Sequence, residues 1–389
     1  MRILVGHVYS EYSNNSPEQI AGWIDSLRRN GYEVGSFCLS HDVARPIAYW
    51  PELDRQWKTG DRLLLGMYEA LAKKLDEYDV LLNFNGINLH PDFIGQLPTF
   101  NVYACFDDPE SSDSLSKPVA WAYDLAMVGN IAEVETYRKW GVKQSQFWPL
   151  GFRDNDFDPN LTREQILSGE REVDIALLCE RLTEWRKTRL DKFSAAFPGG
   201  AYYGPGWPKG LLPEEQRIPL MLRTKIGINI HNSTGPINFR TYYLPANGVL
   251  QICDNKSFLG EIFELNREVV GYDTIDEAIE LTRFYLAHDD QRREIAANGW
   301  ERVMKDYNQV AVFKRLVDAI APLKSSKSKA ETNAIAYVRT HGKRTLAVRT
   351  RDMFLAVPGL AGRTITRSLR SVYRWMEREY RDMRAGRKI

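Results

Sequence analysis

Short apolar runs alternate along the chain with longer stretches whose apolar residues recur every third or fourth position, a pattern that predicts parallel strands covered on both faces by helices. The opening reads as a buried strand (Ile3 to Val8), a polar loop (Tyr9 to Asn15) and a helix begun by Ser16-Pro17 and stopped at Asn30-Gly31. A strand follows at Glu33 to Leu39, a helix at Asp61 to Glu77, and strands at Val80 to Phe84, Thr99 to Phe106 and Leu125 to Val128. Near Pro149 to Pro159 the pattern lapses into a polar stretch, and then it restarts. The second series predicts a strand at Val173 to Leu178, a helix at Trp185 to Phe197 and a short strand at Ala201 to Tyr203. It continues with a strand at Ile226 to Ile230, a helix at Phe239 to Asn247, strands at Val249 to Cys253 and Val269-Val270, and helices from Ile275 to about Leu323. The expected fold class is therefore α/β, with two Rossmann-like, doubly wound domains (1–152 and 153–323) facing across a cleft, and a C-terminal extension (324–389).

Composition changes this picture only at the end of the chain. Across 389 residues, 52 basic side chains nearly balance 51 acidic ones, for a net charge of +1 that selects no partner. From Lys324 onward, however, 17 basic residues face 5 acidic ones, a local excess of +12 on a body carrying −11. Cys38, Cys105, Cys179 and Cys253 stand singly in apolar contexts, without metal or redox spacing, and read as buried free thiols of a reducing compartment. The apolar run at the N-terminus is too short for a signal peptide and nowhere do 18 apolar residues follow one another, so a cytoplasmic location is expected.

Candidate chemistry gathers at strand-to-helix steps. Leu177-Leu178-Cys179-Glu180-Arg181, followed by Arg186-Lys187 at the start of a helix, puts cations where helix N–H groups would meet a diphosphate; a solvated basic helix start is the competing reading. The segment from His231 through Asn238-Phe239-Arg240-Thr241 follows an apolar strand and opens a helix, again a place for an anion. If a hydroxyl acceptor is to be deprotonated, Asp107 or Asp108 at a strand's carboxyl end is the candidate base, with His90 second; a capped turn is the alternative for Asp107-Asp108-Pro109. Asp154-Asn155-Asp156 has the outline of a D-x-D metal motif but falls in the expected interdomain stretch, and no metal or other cofactor is expected.

Several short motifs, taken in order, resemble a known family. They are Phe106-Asp107-Asp108-Pro109, Tyr123-Asp124, Tyr137 to Val142 and Pro149-Leu150-Gly151-Phe152, then Lys225 to Asn229, Asn238-Phe239-Arg240, Ala246 to Leu250, Glu268 to Tyr272, Phe284-Tyr285-Leu286 and Arg292 to Val303. Together, over about residues 75 to 320, the chain resembles the CgeB-like (spore-maturation) glycosyltransferases of GT-B architecture. That resemblance implies a metal-independent transfer of sugar from a nucleotide-diphosphate sugar, held by the C-terminal domain, to a glycan, lipid-linked glycan or protein acceptor. It implies Arg186, Asn238, Arg240 and Thr241 around the diphosphate, with Asn229 and His231 lining the floor. The chain departs from the family at Tyr243, where a Glu usually grips the nucleotide ribose. A degenerate, non-catalytic binding module on the same fold is the alternative this departure raises.

In the extension, Arg363, Arg367, Arg370, Arg374, Arg378 and Arg381 recur at helical spacing opposite Ile365, Leu369, Val372, Met376, Tyr380 and Met383. Such a basic amphipathic helix suits an anionic membrane surface, docking on the enzyme's own body or, least of the three, nucleic acid.

Overall fold

The computed structural model describes residues 1–9, 17–42, 47–84, 86–179, 183–324 and 333–356. These form two parallel sheets. The first contains β1 (Ile3–His7), β2 (Val34–Cys38), β3 (Val80–Phe84), β4 (Phe100–Cys105), β5 (Leu125–Val128) and β6 (Ser145–Phe147), in the order β2-β1-β3-β4-β5-β6. The second contains β7 (Val173–Leu178), β8 (Ala201–Tyr203), β9 (Thr224–Asn229), β10 (Leu250–Cys253) and β11 (Val270–Gly271), in the order β11-β10-β9-β7-β8. Counted from β8, this repeats the order of the first five strands of the first sheet. In each sheet the winding reverses beside the first strand, between β1 and β3 and between β7 and β9, which is where an open α/β sheet leaves a crevice beyond its strand ends.

β1 and β4 are buried along their whole length because helices cover both faces. On one face, Ile3, Val5, Leu82 and Val102 pack against Ile20, Ile24 and Leu27 of the helix Pro17–Arg29. The same face receives Val312, Phe313, Leu316 and Ile320 of the helix Gln309–Lys324. That helix follows the second sheet in sequence, yet its apolar stripe completes the first domain's core, and buried Trp148 donates its indole N–H to Val312 O at 2.8 Å. The two interdomain passages run side by side: the Phe152 amide donates to Tyr307 O at 3.1 Å. A Cβ on Gly151, whose φ is +67°, would stand 2.5 Å from that same carbonyl, so only glycine fits the crossing.

The first part of the extension docks on the body. The helix Ala334–Ala356 buries Ala334 and Val338 in the first domain's core beside Leu64, Leu65 and Tyr68. The His341 ring stacks on Trp57 at 3.7 Å between centroids and donates from Nε2 to Trp57 O at 2.9 Å. The arginine stripe from Arg363 to Arg381 lies outside the described residues. Among the described residues no helix is long and apolar enough to cross a membrane. The expectation of four buried thiols is corrected at one position, because Cys38 is exposed at the end of edge strand β2.

Candidate active site

The crevice of the second sheet is built at the ends of β7 and β9. Arg240, in the first turn of the helix Arg240–Ala246, reaches back over both strand ends, donating from Nη1 to Leu178 O at 2.7 Å and from Nη2 to Ile230 O at 3.3 Å. Its Nε donates to Asn229 Oδ1 at 3.0 Å, an oxygen that also accepts from Asn238 Nδ2 at 2.9 Å. Asn229 is fully buried and is fixed from the other side by Gln251 Oε1 at 3.0 Å. Asn238 Oδ1 in turn accepts from the Thr241 amide at 3.2 Å. Asn229, Asn238, Arg240 and Thr241, all from one strand-loop-helix step, are thus one hydrogen-bonded unit, in which Asn229 and Thr241 are fully buried behind the cavity wall rather than lining it.

Arg186 enters from the neighbouring step, in the first turn of the helix Glu184–Ala196, whose cap is the Thr183 hydroxyl accepting from the Arg186 amide at 3.3 Å. The Thr183 hydroxyl donates to Asn232 Oδ1 at 2.7 Å, tying the two loops together. Arg186 is 6% exposed, with Nη1 3.3 Å from the Cys179 sulfur. Burial, and then the nearby Arg240 guanidinium, hold its pKa below the ordinary value. A buried cation disfavoured by a second cation is stabilised by an anion, and both arginines flank the strand ends where one would sit.

His231 closes the floor. Its Nδ1 lies 2.5 Å from Asp254 Oδ1, its amide donates to Asp254 Oδ2 at 2.8 Å, and its Nε2 is 3.2 Å from the Thr241 hydroxyl. Burial lowers the imidazole's pKa, and the Asp254 carboxylate only partly opposes this. The ring is therefore neutral near pH 7, with Nδ1–H donating to Asp254 and Nε2 left to accept from Thr241. Cys253 brings its sulfur within 4.0 Å of Nδ1, and His231, Cys253 and Asp254 are the one group of possible metal ligands among the described residues. They do not fit an ion as arranged. Two ligand atoms each about 2.1 Å from a tetrahedral metal stand about 3.4 Å apart, well beyond the hydrogen-bonded Nδ1 to Oδ1 separation.

A cavity of about 480 Å³ separates this unit from the first domain. Arg186, His231 and Asn238 line one wall, and Asp107, Glu110 and Ser111, from the loop after β4, line the other. Asp107 is exposed to the cavity. Asp108 is not a candidate base: it is 1% exposed, and its carboxylate accepts from Ser112 Oγ at 2.8 Å and from the Tyr137 hydroxyl. His90 is likewise corrected. It lies away from the cleft, capping the helix Pro91–Ile94 through Nδ1, with its ring stacked on Trp50 and Trp57. Tyr243 does not reach the cleft either, since it packs in the apolar cluster with Phe152, Tyr242 and Tyr307 beneath its helix. Arg181 lies outside the described residues. Sequence reasoning missed Asp254, which meets His231 from the next strand end, Thr183, whose hydroxyl reaches Asn232 in the neighbouring loop, and Glu110 on the cavity wall.

A family model described as glycosyl transferase-like matches residues 176–318, the stretch that carries Arg186, His231 and Arg240. No curated protein matches the chain. Among solved structures, sucrose-phosphate synthase from Thermosynechococcus elongatus superposes with a TM-score of 0.58 at 13% identity, covering 84% of this chain and 100% of its own. The fold is GT-B. HepE from Anabaena in complex with UDP (TM-score 0.53, 13% identity, 83% of this chain and 100% of that one) has the same architecture. So has a glycosyltransferase from Rickettsia africae (TM-score 0.56, 12% identity, 84% and 100%). At such identities these structures speak to the GT-B fold alone.

Proposed function

We propose that the protein transfers a sugar from a nucleotide-diphosphate sugar to a hydroxyl of a glycan, lipid-linked glycan or protein. The observation that carries this reading is buried Arg186 in the wall of a cavity that Asp107 lines from the other side, with Arg240 anchored on the β7 and β9 ends behind it. The diphosphate sits against Arg186, at the N-terminal turn of the helix Glu184–Ala196, with the Arg240 charge fixed behind it, so the charge that develops on the leaving group meets a fixed positive field. The His231–Asp254 pair holds the Thr241 hydroxyl and, through it, the Asn229 floor. Asp107 accepts the acceptor hydroxyl's proton if the reaction inverts configuration. The match of residues 176–318 to a glycosyl transferase-like model supports the reading, as does the UDP held by the Anabaena protein. With the leaving charge met by arginines, no divalent ion is required.

The acceptor side faces the first domain, and the basic extension is docked on that same domain through Val338 and His341. Its excess of positive charge supports attachment to an anionic bilayer carrying a lipid-linked acceptor. The test is to incubate the full chain with a panel of nucleotide sugars, with and without EDTA, following nucleotide release and thermal shift. Release from one donor, unchanged by EDTA, is expected. Binding without release to any acceptor class would favour the non-catalytic module.

A further inference from the structure

Beside the cleft the two domains are joined by a small group of side chains centred on Asn130. Asn130, fully buried at the end of β5, directs its Nδ2 to Ser233 Oγ at 2.9 Å and Thr234 Oγ1 at 3.1 Å, both on the second domain's loop after β9. The same Nδ2 donates to Asp108 O at 3.1 Å, in the first domain's loop that presents Asp107. Its Oδ1 accepts from the Ala132 amide at 3.1 Å, which fixes the carboxamide's orientation. Thr234 adds a second link, donating from Oγ1 to Glu133 Oε1 at 2.7 Å, and Ser233 Oγ lies 3.4 Å from Asp108 O. The approach is close enough to dictate a residue: a Cβ on Gly235 would lie 2.3 Å from Asn130 Oδ1.

We infer that Asn130 is a positioning residue that sets the separation between Asp107 and the donor unit by gripping the turn at 233–235. The inference rests on the transferase reading for its consequence, but the grip itself does not. The loop it holds runs directly from His231 to Asn238, so it joins the donor floor to the acceptor wall with no intervening element. Within the second domain, Arg186, Asn229, Arg240 and Thr241 are assembled without any contact through Asn130. Loss of the grip should therefore leave nucleotide binding intact while the acceptor base is misplaced.

Asn130 is buried, and its replacement endangers the fold, so the test is made on the loop side. The double variant Ser233→Ala/Thr234→Val removes the groups that meet Asn130 and Glu133, Gly235→Ala forces the turn off Asn130, and Ser233→Thr/Thr234→Ser keeps both hydroxyls as a control. Three readouts are taken on the full chain: hydrogen exchange at 105–112, 129–134 and 231–238, UDP affinity by calorimetry, and transfer kinetics. Faster exchange in these segments is expected for the first two variants, with unchanged UDP affinity, a fall in kcat of roughly tenfold to a hundredfold, and wild-type behaviour for the control. Unchanged exchange in both loop variants overturns the clasp whatever the protein's activity. Faster exchange with unchanged kcat, or with equal losses in kcat and UDP affinity, overturns the positioning role. If the wild type binds no nucleotide, the transferase reading fails, while exchange still reads the clasp.

Discussion

His231 Nδ1 stands 2.5 Å from Asp254 Oδ1, yet the imidazole stays neutral near pH 7 because its burial outweighs the carboxylate's attraction. His7 and His90 are also held below their ordinary pKa by burial. Unfolded histidines titrate near 6.5, so below that pH the unfolded chain binds more protons than the folded one. The stability these groups contribute is complete above about pH 6.5 and is lost as pH falls toward their lowered folded values. Urea unfolding at pH 7.5 and 5.5 should show a fall in stability that is smaller in His231→Asn, which cannot charge. Stability that is flat over this interval would contradict the neutral, buried state of these rings.

Arg240 is expected to serve structure as well as binding. Arg240→Ala leaves Leu178 O, Ile230 O and part of the Asn229 carboxamide without their cationic donor, and each unsatisfied buried acceptor costs about 1–3 kcal/mol. The variant should melt at lower temperature than wild type even without ligand. Arg240→Lys should not restore it, since a single ammonium cannot span two carbonyls and an amide. Melting unchanged in Arg240→Ala would show that the strand ends do not need the clamp.

The extent to which the site could be read from sequence follows from how local each contact is. The strands from Val80 to Phe84 and Ala201 to Tyr203 are found where their apolar runs predict, because a strand buried on both faces writes itself as a continuous apolar segment. The helix Trp50–Thr59 was not expected, since its stripe is short and Trp50-Pro51 reads as a break, although Pro51 stands in the first helical turn, where proline is tolerated. Asn229, Asn238, Arg240 and Thr241 were legible because one strand-loop-helix step holds them all. Asp254 was not, because its partner His231 lies 23 residues away, on the neighbouring strand end. His90 misled for the converse reason: a histidine before proline looks accessible until Trp50 and Trp57 close over its two faces. The return of the helix Gln309–Lys324 to the first domain was likewise invisible, since an amphipathic stripe shows that a face is buried and not against which sheet.

Asp107, on the cleft wall facing Arg186 and His231, should be required for transfer by an inverting enzyme. Asp107→Asn is expected to lower turnover by about 10² to 10⁴-fold with UDP affinity nearly intact, as for loss of a general base. Steady-state kinetics beside calorimetry make the comparison. Near-normal turnover would remove Asp107 from the mechanism.

The extension should divide at the docked helix. Removing residues 357–389 is expected to leave melting unchanged and to release the protein from anionic vesicles, because much of the local positive charge goes with it. Val338→Asp should instead destabilise the body, by on the order of 3 kcal/mol, since it places an unpaired charge in a fully buried apolar site. Vesicle sedimentation and thermal melting report the two effects separately. Equal sedimentation of full and shortened chains would refute the membrane role of 357–389.

The most direct test of the central claim is calorimetric titration of the full chain and of Arg186→Ala with a panel of nucleoside diphosphates and, as controls, the parent nucleosides. Saturable binding of one diphosphate but not of its nucleoside is expected in the wild type, weakened in Arg186→Ala by about 2 kcal/mol, the scale of a charge-assisted hydrogen bond, with the variant's melting temperature without ligand little changed. If no nucleoside diphosphate binds, whichever base it carries, or if Arg186→Ala binds the diphosphate as tightly as the wild type, Arg186 and the β7 and β9 ends do not form a donor diphosphate site.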